Sequence, residues 1–150
     1  MEKLFLPYEL SVKLKEKGFD EDCFGYYENQ NKKLVICYNN LPLTKLELER
    51  PAMYEIKHNN VKLPQWETAV PTYQQVMDWF REKHQLFIEI QTDCTTYPKF
   101  VFEINRFIGN PKDLTEREWD WENIKVKEWH LYRTYKEAMD YAIEEALKLI

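Results

Sequence analysis

"TYQQVMDWFREKHQLFIEIQTDCTTYPKFVFEIN", residues 72–105, decides the fold, because two periodicities follow one another in it. From Thr72 to about His84 the apolar residues Tyr73, Val76, Met77 and Phe80 recur at i, i+3, i+4 and i+7, which is one stripe of an amphipathic helix. Thr72 is placed as its N-cap, and Gln75 three residues later completes a capping-box pattern. Trp79 falls beside that stripe. Beyond His84, "LFIEIQ" and "KFVFEIN" read as a hairpin with a period of two. Leu86, Ile88, Ile90, Phe100, Phe102 and Ile104 are predicted to line one face, with Phe87, Glu89, Val101, Glu103 and Asn105 on the other.

Toward the N-terminus, "LPYELSVKLKEKG" reads as a second helix. Pro7 suits its first position, where a missing N–H costs nothing, and Gly18 suits the stop. Tyr8, Leu10, Val12 and Leu14 supply an imperfect apolar stripe. "CFGYY" and "LVICY", separated by the turn-rich "ENQNKK", form a further predicted hairpin. Residues 39–71 carry one or two more strands, suggested by "KLELE" at 45–49 and "MYEIK" at 53–57. Toward the C-terminus a loop covers 109–123, "IKVKEWHLY" is a last strand, and a helix runs from Thr134 to the end. The expectation is an α+β fold in a single domain, 1–150, with about three helices on a mostly antiparallel sheet of two hairpins plus one or two extra strands.

The C-terminal helix starts "TYKEAMDYAIEEA", which matches "TYQQVMDWFREKH" in Thr, Tyr, Met, Asp and Glu, with Trp79 aligned on Tyr141. Cap, core stripe and one solvated aspartate (Asp78, Asp140) account for the likeness without a shared site. Helix-then-hairpin also occurs at both 7–38 and 72–105, as an old duplication would leave it.

Composition excludes several classes of function. A net charge of −5, with dispersed Lys and Arg, argues against affinity built on neutralising phosphates, so direct nucleic-acid binding is not expected. Three widely spaced cysteines, Cys23, Cys37 and Cys94, do not read as a disulfide framework and suit a reducing cytoplasm. The N-terminus lacks a signal-peptide core, and no apolar run approaches the roughly 18 residues of a membrane span.

Catalytic patterns are sparse. His58, His84 and His130 lie far apart, and no Cys-x-x-Cys or His-Glu-x-x-His spacing occurs, so no metal site or cofactor is expected. Cys94 stands beside Asp93, whose charge raises a thiol pKa. Only Gly18, Gly25 and Gly109 are available, too few for a phosphate-cradling loop. Glu89 and Glu103 are a candidate carboxylate pair as diagonal neighbours on the second hairpin, set against a solvated sheet face. The protein is therefore read as a non-enzyme. The candidate binding residues are Trp119, Trp121, Trp129 and Tyr132, in "REWDWENIKVKEWHLY", since Trp and Tyr are typical interface anchors. The competing reading folds these rings back over the core.

"LPYELSVKLKEKGFDEDCFGYY", "VPTYQQVMDWFREKH" and "TYKEAMDYAIEEALKLI" resemble a group of small uncharacterised proteins encoded by bacteriophages, prophages and mobile elements of gut bacteria. The resemblance implies a bacterial host cytoplasm and an accessory role, and it transfers no catalytic residue. The resulting expectation is binding to another protein, such as a host or defence factor, with a homo-oligomer as a further possibility. The alternative is a small-molecule or nucleotide-binding, sequestering protein, its aromatic rings stacking on a base and Arg81, Arg106, Arg117 or Arg133 meeting a phosphate.

Overall fold

The computed structural model describes residues 2–36, 58–93, 99–107, 121–126 and 132–150. The fold class is α+β, as expected. The chain divides into two compact units, Met1–Gln75 and Val76–Ile150. The described strands form two three-stranded antiparallel sheets where a single sheet was expected.

In the first unit α1 spans Tyr8–Glu16. Pro7 is its N-cap rather than its first helical residue, with φ −58° and ψ 152°. Gly18 ends the helix at φ +85°, where the Gly18 N–H donates to Lys15 O (3.1 Å) and the Phe19 N–H to Leu14 O (3.0 Å). This pair of bonds is the Schellman stop, and it satisfies carbonyls that would otherwise be orphaned. Leu10, Ser11 and Leu14 form the buried face, while Tyr8 and Val12 are half-buried. Ser11 is tolerated there because its hydroxyl donates back to Pro7 O (3.1 Å).

The first predicted hairpin forms as β1 (Gly25–Glu28) and β2 (Lys33–Ile36). Asn31 shapes the connecting turn by accepting the Lys33 N–H at Oδ1 (2.9 Å). The third strand, β3 (Glu67–Ala69), pairs with β1 and gives the order β2-β1-β3. Phe5, Tyr27 and Val70 form a buried cluster, with Tyr8, Leu34 and Ile36 packed against it. The Tyr27 hydroxyl donates to Leu6 O (2.9 Å), so this buried ring carries no polar debt. The expected strands at 45–49 and 53–57 lie outside the described residues.

Helix α2 spans Tyr73–His84 and begins with the predicted box. The Gln75 N–H donates to Thr72 Oγ1 (3.3 Å) and the Thr72 N–H to Gln75 Oε1 (2.9 Å). Its buried residues are Val76, Trp79 and Phe80, with Tyr73 and Met77 half-buried. The stripe is thus rotated toward Trp79, which belongs to the buried face and not beside it. Burying a ring of that size outweighs a few tens of degrees of rotation away from Met77.

In the second unit β4 (Leu86–Asp93) and β5 (Lys99–Phe107) make the second hairpin with the expected apolar face. Ile88 pairs with Ile104 and Ile90 with Phe102. Leu86, Ile88, Phe102 and Ile104 are buried, and Ile90 and Phe100 are half-buried on the same face. The last strand, β6 (Trp121–Val126), starts earlier than the predicted 124, inside the segment expected to be loop. It pairs with β5 for the order β4-β5-β6. Helix α3 (Tyr135–Leu147) lies on β4 and β5 and buries Ala138, Met139, Ala142, Ile143, Ala146 and Leu147.

The third strand joins the leading strand of the hairpin in the first sheet and the trailing strand in the second. A plain copy of one helix–hairpin–strand unit would place it alike in both, so the topologies differ beyond the shared helix and hairpin.

Candidate functional site

The candidate binding segment is described only in part. Trp119 and Trp129 lie outside the described residues, and Trp121 is described by its main chain, which pairs with Phe107 in β5. Tyr132 is described fully, at 4% exposure. It forms a bridge with Phe100, its N–H donating to Phe100 O (2.9 Å) and the Phe100 N–H to Tyr132 O (3.0 Å). This pairing turns the ring toward the helix face of the sheet, the face that Phe100 and Phe102 share.

An aromatic cluster follows from that placement. The Tyr132 ring lies 5.9 Å from Phe102 and 5.0 Å from Tyr141, each at 32°. Tyr135 meets Phe100 edge-on at 5.9 Å and 89°. These are favourable offset and edge-to-face arrangements. Tyr132 and Phe102 are buried; Tyr141 rises over Tyr132 at 44% exposure, and Tyr135 rises over the half-buried Phe100 at 53%. Phe100 and Phe102 stand on β5, Tyr132 is bridged to Phe100, and the exposed Tyr135 and Tyr141 both stand on α3.

Among the described residues, the buried Tyr132 hydroxyl has no hydrogen-bond partner. Burial pushes its pKa up, and nearby Tyr141 and Glu137 add to the shift, so it stays a neutral phenol. The neighbouring charges balance. Lys136 pairs with Asp140 across one turn (2.7 Å). Glu137 Oε2 accepts the Arg133 N–H (3.1 Å), one residue before the cap position expected of a capping box, while Thr134 Oγ1 accepts the Glu137 N–H (3.1 Å). Arg133, Lys136, Glu137 and Asp140 sum to zero at neutral pH.

Glu89 and Glu103 are direct cross-strand partners and not diagonal ones. Glu89 is exposed and Glu103 half-buried. Among the described residues neither has a recorded ion-pair or hydrogen-bond partner to split the roles of acid and base. Like charges directly opposite one another weaken a sheet, which fits a solvated face.

Cys23 is buried, and its thiol donates to Glu21 O at 3.5 Å. Burial pushes its pKa up to about 12, with Asp22 and Glu21 adding to the rise. His58 lies directly across from it in a two-hydrogen-bond bridge, an adjacency that 34 intervening residues hide in the sequence. The pair is unsuited to nucleophilic chemistry, because burial raises the thiol pKa and lowers that of His58. Cys37 and Cys94 lie outside the described residues, and among those described no group of His, Cys, Asp and Glu is placed to hold a metal.

The arginines do not converge on one point of the described structure. Arg81 pairs with Asp78 on α2, Arg106 lies on β5 opposite Leu86, Arg117 is outside the described residues, and Arg133 is exposed beside Tyr132. Sequence reasoning also gave no role to Trp66, which is 63% exposed, with Val61 at 78% in the same loop. The loop is pinned. Asn59 Oδ1 accepts the Val61 and Lys62 N–H groups, and Asn60 bridges Phe19 O and the Ala69 N–H. The Asn-Asn and Pro64 turn chemistry was the available signal for an ordered loop.

No family model, curated protein or solved structure matches the chain. Among the described residues no helix is long and apolar enough to cross a membrane.

Proposed function

We propose that the protein is a non-enzymatic accessory protein that acts by binding another protein, through the aromatic surface formed by Tyr135 over Phe100 and Tyr141 over Tyr132. One observation carries this reading: two large rings stay about half exposed while packed on other rings, Tyr141 over the buried Tyr132 and Tyr135 edge-on to the half-buried Phe100. Rigid aromatic side chains lose little entropy on docking and supply much of the energy of protein interfaces. The resemblance to mobile-element proteins supports a bacterial host cell as the setting and a host or defence factor as the partner.

The test is recovery of a stoichiometric partner from host lysate by the tagged protein. The Tyr135→Ala, Tyr141→Ala double variant should lose that partner, while Trp66→Ala should retain it. Retention by the double variant, with loss on Trp66→Ala, would move the site to the 59–66 loop. Absence of any partner for the unaltered protein would sink the reading.

A nucleotide-binding, sequestering role is the second reading, favoured by the exposed Arg133 beside the same rings. It predicts a thermal shift with nucleotides, since a ligand at 100 times its dissociation constant adds about 2.7 kcal/mol of stability.

A further inference from the structure

We draw no further inference here: the strongest candidate, the Val61 and Trp66 side chains exposed on the pinned 59–66 loop of the first unit, carries nothing because nothing in the structure shows what covers it.

Discussion

Single atoms decide two positions. Gly25 sits in β1 between β2 and β3, and a Cβ there would fall on the Val35 carbonyl oxygen and lie 3.2 Å from both Ile36 Cα and a Val70 methyl. Backbone cannot yield as a side chain does, so Gly25→Ala should cost about 3 kcal/mol, the upper end for overpacking. Gly18→Ala is the control. No atom lies within 4 Å of a Cβ there, and only the left-handed φ of +85° is penalised, at roughly 1 kcal/mol. Equal losses in urea unfolding would show that steric approach at Gly25 is not the cause. Tyr132 offers the opposite sign. Its buried hydroxyl has no partner among the described residues, so Tyr132→Phe removes a desolvation cost and should raise stability by about 1 kcal/mol. A fall instead would mean that the hydroxyl is satisfied, and the site would need redrawing around whatever satisfies it.

At the scale of elements, the two helices that start alike are held differently. Thr72 and Gln75 exchange two bonds, and Gln75 Nε2 also donates to Asp22 O (2.8 Å), tying the helix start to the segment before β1. Glu137 instead turns to Arg133 and leaves Thr134 a one-way cap. Thr72→Ala should therefore cost at least the typical cap value of about 1 kcal/mol, and Thr134→Ala less. Urea midpoints with unchanged slopes would check the ranking, and a larger loss at Thr134 would refute it. The elements visible in the sequence were those whose own residues encode the burial pattern. Alternation from Leu86 to Ile90 and from Phe100 to Ile104 gave the hairpin's apolar face directly, because each apolar side chain is buried or half-buried on it. It did not give the register, which sets Glu89 directly opposite Glu103. Strand β3 is only "ETA", three residues whose extended state comes from pairing with β1 across about forty positions of chain, and no local pattern reports such a partner. Strand β6 was shifted for the same reason: its start at Trp121 is set by Phe107 opposite, not by its own alternation. Trp79 was misplaced because a four-residue stripe fixes the direction of a helix face only to within about one position. The candidate site was half legible. Tyr132 was reached through aromatic content, but Tyr135 and Tyr141 had been counted as parts of a helix start.

Across the whole molecule, the titrating groups that the fold buries bound stability on both sides of neutrality. His58 belongs to the first unit and His84 to the second. Burial lowers the pKa of each from its ordinary 6.5. His84 is held edge-on against Trp79 at 4.4 Å, and its buried Nε2 has no hydrogen-bond partner among the described residues, so a proton added there meets no acceptor among them. A histidine whose folded pKa lies below its unfolded one contributes stability that is complete above the unfolded value and is lost as pH falls through the folded one. On the acid side the decline should therefore begin near pH 6.5, well before Glu9, whose carboxyl is held below its ordinary 4.5 by Lys32, takes up a proton. On the alkaline side Cys23 is raised from 9.0 to about 12 by burial, so its contribution is complete below pH 9 and is lost as pH rises toward 12. Thermal unfolding between pH 5 and 10.5 should give a plateau from about 6.5 to 9 with a fall on each side. His84→Phe keeps an aromatic ring against Trp79 and removes the proton site, so it should flatten the acid limb in part and leave the rest to His58. Cys23→Ala should flatten only the alkaline limb, whatever its overall cost in stability. An acid limb unchanged by His84→Phe would show that its Nε2 is hydrated or bonded in solution, and that the decline below 6.5 belongs to other groups.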